Sequence, residues 1–94
     1  MSDQHIIFRV HAIQRMFERG ISEKNVKKVL QTGEMIEDYS DEMPFPGGLM
    51  LGRHGSRPLH VVASETANPD ELVIITVYEP APSHWKSNFK SRKP

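Results

Sequence analysis

Leu72-Val73-Ile74-Ile75-Thr76-Val77-Tyr78 is the stretch that decides how this chain folds. All but the first of these residues are β-branched or aromatic, which suits a pleated, half-buried strand and suits a helix poorly. Pro80 and Pro82 end it, because proline has no N–H to give to a ladder. Working backward, Asn68-Pro69-Asp70 is a turn, and Arg57 to Ser64 reads as a second strand, with Pro58 confined to its beginning. Gly55-Ser56 joins that strand to Leu49–His54 as a two-residue hairpin turn. Ser40 to Gly48, with two prolines and two glycines, is a loop, and Met35 to Tyr39 is a short mixed strand.

Upstream of Gly33 the period is helical. At about 100° per residue, Val10, Ala12, Ile13, Met16 and Phe17 fall on one half of a wheel. His11, Gln14, Arg15, Glu18 and Arg19 fill the other half, and Gly20 offers a left-handed stop. Ser22 is a good N-cap for a second helix whose apolar residues are Val26, Val29 and Leu30, and Ile21 can pack on Val26 as a staple. Two helices followed by strands on short turns make an α+β plan, a helical pair packed on an antiparallel sheet. Ile6-Ile7-Phe8 is apolar enough for an edge strand, but the pattern alone does not assign it one.

Alternation places Leu59, Val61 and Ala63, with Val73, Ile75 and Val77, on the face that meets the helices. The opposite face then carries His60, Val62 and Ser64 beside Leu72, Ile74, Thr76 and Tyr78. That face is too apolar for ordinary solvated surface. It calls for a partner, a groove, a homodimer contact or a cover made from the chain itself, with Trp85 and Phe89 as plugs.

Ninety-four residues make one domain, 1–94, ending in a basic tail at 80–94. Without cysteine there is no disulfide framework, thiolate ligand or cysteine nucleophile. No apolar run approaches the ~20 residues of a membrane span, and Met1 to His5 has no basic n-region, so the expected address is the cytoplasm. Net charge is zero, yet the balance is +3 over residues 1–31, −7 over 32–79 and +4 over 80–94. Overall neutrality argues against a protein that grips duplex nucleic acid along its length, though one or two phosphates or an oppositely charged partner remain within reach.

The five histidines lack the i, i+3 or i+4 spacing that presents two metal ligands from one helix. Neither a phosphate loop nor a nucleophile elbow occurs, so no metal and no cofactor is expected. What remains is a row on the first helix, His11, Arg15 and Arg19, spaced by four and therefore stacked along one face. The same row also fits a merely solvated face whose arginines pair with neighbouring acids.

His11-Ala12-x-x-Arg15-Met16-x-x-Arg19-Gly20-Ile21-Ser22, Val26-x-x-Val29-Leu30 and Gly33-Glu34-x-Ile36-Glu37-Asp38-Tyr39 resemble the domain-of-unknown-function family 4258. Gly55-x-Arg57-Pro58-Leu59-His60-Val61-Val62 and Ile74-Ile75-Thr76-Val77-Tyr78-x-Pro80 extend the resemblance over nearly the whole chain, from about Phe8 to Arg92. Arg9-Val10 stands where that family often has a Ser or Thr cap. The resemblance implies kinship with small bacterial toxins of the RelE and MqsR kind. It thus implies a single toxin-like domain with a curved, mainly antiparallel sheet of about four strands.

Many such toxins cut messenger RNA without a metal, and they stand beside a small antitoxin. The reading that follows is a metal-independent endoribonuclease, an mRNA interferase of a type II toxin–antitoxin pair. Its partners would be a cognate antitoxin and single-stranded RNA or ribosome-bound mRNA. Attack by a 2′-hydroxyl on the adjacent phosphate needs a base, an acid and cations. His11 and His60 offer the proton transfers, Arg15 the phosphate fork, and Tyr78 a hydroxyl to orient or donate. Arg19, Trp85, Lys86 and Lys90 are the RNA-binding candidates, by charge and stacking. The rival reading is a non-catalytic protein-binding or regulatory module of the same fold. The nuclease reading requires His11, Arg15 and His60 to converge on one concavity.

Overall fold

The computed structural model describes residues 5–41 and 44–94. Strand β1 (His5–Phe8) leads into helices α1 (Val10–Arg19) and α2 (Glu23–Thr32). Strands β2 (Glu34–Asp38), β3 (Gly47–His54), β4 (Arg57–Glu65) and β5 (Glu71–Tyr78) follow. They form one sheet in the order β1-β5-β4-β3-β2, an α+β fold. The strand count is five rather than about four, and the sheet is mixed, because β1 runs parallel to β5 with Ile6 opposite Leu72 and Phe8 opposite Ile74. Four residues suffice for this edge strand because the flanking backbone is tied down as well: His5 N–H donates to Asp70 O at 2.6 Å and Arg9 N–H to Ile74 O at 3.1 Å.

Both helices end and begin as their terminal residues require. Arg9 is the cap of α1 in extended conformation and supplies no side-chain bond to it. Gly20 adopts φ 66°, and the N–H of Ile21 reaches back to Met16 O at 2.8 Å, closing α1 in a left-handed turn. Ser22 Oγ accepts from the Asn25 N–H at 3.1 Å while Asn25 Oδ1 accepts from the Ser22 N–H at 3.2 Å, a complete capping box. Gly52 of β3 lies under α2, where an added Cβ would come within 2.7 Å of Val29, so the helix sits directly on that strand.

The main core lies between the helices and one sheet face: Ala12, Met16, Ile21, Val26, Val29, Leu59, Val61, Ala63, Ile74 and Val77. Fully burying the Val, Leu, Ile and Met side chains among them contributes about 1.5–3 kcal/mol each. Two expectations need correction here. On α1 only Ala12 and Met16 are buried; Val10 is 72%, Ile13 50% and Phe17 88% exposed. α1 packs on β5 while α2 covers β3 and β4, so α1 offers the core one narrow line rather than half its surface.

On β5, Ile74 rather than Ile75 joins the core. The pairing skips from Val62–Thr76 to Ala63–Ile74, leaving Ile75 as the extra residue of a bulge. One extra residue reverses the facing of everything beyond it, which brings Leu72 and Ile74 to the helix side with Ile6 and Phe8. The loop read over residues 40–48 is shorter, because Gly47 and Gly48 already pair in β3; Glu42 and Met43 within it, and residues 1–4, lie outside the described residues.

Candidate functional site

The second sheet face is covered by the chain's own tail. Leu49, Leu51, His60 and Trp85 are all buried there, and Trp85 forms an isolated antiparallel bridge with Arg92. Lys86 N–H bonds Ser91 O at 2.9 Å and Lys93 N–H bonds His84 O at 2.9 Å, so residues 84–93 make a small closed loop. His60 is completely buried and makes edge-to-face contacts with Trp85 at 4.4 Å and Tyr78 at 5.2 Å between ring centres.

Because a carbonyl can only accept, His60 Nε2–H donates to Phe89 O at 2.9 Å; burial disfavours a second ring proton, so Nδ1 accepts from the Tyr78 hydroxyl at 3.2 Å. That is the neutral imidazole. Phe89 sits at φ 59°, a left-handed conformation that costs a bulky residue roughly 1–2 kcal/mol.

Burial pushes the His60 imidazole below its ordinary pKa, partly opposed by the Phe89 carbonyl and by the Glu37 charge. Glu37 lies below the carboxylate range because the Arg92 guanidinium holds it, with Nε–Oε2 at 2.9 Å and Nη2–Oε1 at 3.1 Å. Arg92 is raised by the same contact. Tyr39 donates to Glu37 Oε1 at 2.5 Å, and burial, then that bond, pushes its pKa up to about 12. Burial also raises Tyr78. Five shifted groups therefore gather on one face. Arg92 additionally stacks over Trp85 at 4.6 Å, and Lys90 pairs with Glu34 at 2.9 Å.

Of the residues picked from sequence, His60, Tyr78, Trp85 and Lys90 come together here. Lys86 belongs to the same loop and is exposed. His11, Arg15 and Arg19 do not join them. They stand exposed on α1, whose buried residues Ala12 and Met16 share the core with Leu59 and Val61, the neighbours that flank His60 and point to the opposite face. The convergence of His11 and Arg15 with His60 is therefore not met.

Trp85, 4% exposed, has no free face for a base, and the sheet face offered for a homodimer is occupied by residues 85–92. The face also holds Glu37, Tyr39 and Arg92, which sequence reasoning missed. The spacing Glu37-x-Tyr39 puts both on one side of a strand, a signal that was available. Nothing local links them to Arg92, 55 residues from Glu37.

An open feature lies on the helix side. A cleft of about 810 Å³ crosses all five strands beside α2. Its floor includes Ile6, Phe8, Met50, Ala63 and Leu72, and Leu30 and Met35 form its wall. The size is that of a ligand or side-chain-binding site, and its lining is apolar with polar groups at the margin. Among the described residues, no three His, Asp or Glu side chains gather as a cation site, and no helix is long and apolar enough to cross a membrane.

Comparison with known proteins adds one match. The model of a family described as a domain of unknown function, DUF4258, matches residues 8–79. No curated protein and no solved structure matches the chain.

Proposed function

The chain belongs to the DUF4258 family, and on that premise we propose that it is a non-catalytic protein-binding module built on a RelE-like, toxin-like scaffold and working in the cytoplasm. The observation that carries this reading is the open, apolar-floored cleft of about 810 Å³ beside α2. An apolar concavity of this size with charged margins is the usual form of a recognition site. By contrast, the residues proposed for acid–base chemistry are divided between two faces, with His60 enclosed under Phe89 and Trp85. The resemblance to toxin families suggests a small antitoxin-like protein as partner.

The test is a direct pair of measurements. Purified chain is incubated with single-stranded RNA in EDTA, and separately the chain is co-expressed with the product of each adjacent gene. A stable one-to-one or two-to-two complex without RNA cleavage is the expected result. Cleavage that leaves 2′,3′-cyclic phosphate ends, and that His11→Ala or His60→Ala lowers by roughly 10²–10⁴, overturns it.

One observation favours a second reading, the metal-independent endoribonuclease. The shifted groups Glu37, Tyr39, His60, Tyr78 and Arg92 form a single cluster, as titrating groups at reacting sites often do. For that chemistry the tail must first lift off, freeing His60 and Tyr78 for proton transfer and Arg92, Lys86 and Lys90 for phosphate. A Trp85→Ala variant, which loosens the tail from His60 but keeps Lys86, Lys90 and Arg92, and which cuts RNA when the intact chain does not, would favour this second reading.

A further inference from the structure

The cleft beside α2 has a shape and a charge that specify its occupant more closely. We propose that it takes an amphipathic helix of a partner protein, apolar side chains inward and Lys or Arg toward the rim; the proposal rests on the binding-module reading above. Three observations carry it.

The first is backbone chemistry. The floor is the face of a sheet whose interior strands already pair on both sides, so an extended segment lying there would find no ladder partner. A helix brings its own backbone hydrogen bonds and needs only side-chain contact.

The second is length. Crossing five strands spaced by about 4.8 Å gives a run of roughly 19 Å. At 1.5 Å per residue that accommodates about 13 helical residues, or three to four turns. Met35 and Met50 among the lining residues are adaptable contacts for such a ridge of side chains.

The third is charge. The rim carries Glu23, Asp38 and Glu65 against Lys27, with His5 at one end. All three carboxylates are exposed, and among the described residues none is in an ion pair. Asp38 accepts bonds from the Ser40 N–H and hydroxyl at 2.8 and 2.6 Å, which hold its carboxyl below the ordinary range and keep it charged. A cationic partner is therefore attracted and an acidic one repelled. The same acidic rim disfavours nucleic acid at this cleft.

The experiment uses the full chain and two labelled synthetic peptides of 14 residues. Each carries leucine along one helical face; the other positions are lysine in one peptide and glutamate in the second. Fluorescence anisotropy should show the lysine peptide binding at least tenfold more tightly than the glutamate peptide, with the difference shrinking several-fold between 50 and 500 mM NaCl. The triple variant Glu23→Gln, Asp38→Asn, Glu65→Gln should erase the preference. Met35→Arg, at a half-exposed position, should abolish binding while circular dichroism stays unchanged.

If both peptides bind equally and Met35→Arg abolishes both, the charge assignment is overturned and the cleft remains a docking site. If neither peptide perturbs the amide resonances of the cleft, the helix assignment is overturned. The binding-module reading itself stands or falls on the RNA assay and the co-expressed complex.

Discussion

The Arg92 guanidinium grips both carboxylate oxygens of Glu37, at 2.9 and 3.1 Å, and so ties the end of the tail to β2. A planar fork on a carboxylate is stronger and more directional than a single ammonium contact. The pair is nonetheless partly exposed, with 58% of the arginine and 24% of the glutamate side chain in contact with solvent. It directs where the tail lies more than it supplies the energy for lying there.

Arg92→Ala should therefore cost only about 1 kcal/mol, from a screened ion pair and a cation–π contact with Trp85. Arg92→Lys should recover less than half of it, because the fork is lost. Urea unfolding checks the size. Amide exchange at residues 84–93 should rise in both variants, and an unaltered exchange pattern would show that the tail is held without Arg92.

Trp85 is the anchor by comparison. It is 4% exposed against His60, and Trp85→Ala should cost roughly 3–5 kcal/mol through lost burial and a residual cavity. Truncation after Pro80 should destabilise at least as much, by uncovering Leu49 and Leu51. A truncated chain with an unchanged melting temperature would contradict the role of the tail as a cover.

Stability should fall as pH drops below about 6.5. His60 is neutral and buried, and its folded-state pKa lies below that of the unfolded chain, so unfolding takes up a proton in that window. Its contribution is fully present above the unfolded value near 6.5 and is lost as pH falls toward the lowered folded value. Glu37, also lowered, adds a second loss that begins only below about 4.5. His60→Gln retains an N–H donor but not the titration. It should flatten the upper part of the pH profile while leaving the lower part in place, as followed by thermal melts from pH 8 to about 3.

Phe17→Ser should change stability by no more than about 0.5 kcal/mol, because the ring is 88% exposed. Met16→Ala, one residue earlier and 5% exposed, should cost about 2–5 kcal/mol. Thermal melts of the two variants measure which side of α1 faces the core. A large loss at Phe17 would mean that this face is covered in solution.

Sequence periodicity alone determined that residues 10–32 form two helices, that residues from Met35 onward form strands, and that Gly20, Ser22 and Gly55 sit at their boundaries. These features rest on local physics: dihedral preference, capping and turn chemistry act over three or four residues and can be read where they stand. Periodicity also marked the face bearing His60, Val62 and Tyr78 as too apolar to stay wet, although Leu72 and Ile74, counted there, lie on the helix side.

Only the tertiary structure decided what covers that face and how the candidate residues divide. One bulged residue, Ile75, reversed the facing of half of β5, and no propensity marks a bulge. The parallel pairing of β1, the exposure of Phe17, and the meeting of Arg92 with Glu37 across 55 residues depend on contacts between distant segments. Those contacts are chosen by which arrangement buries most apolar surface while pairing every buried polar group, a property of the whole fold that no short stretch of sequence carries.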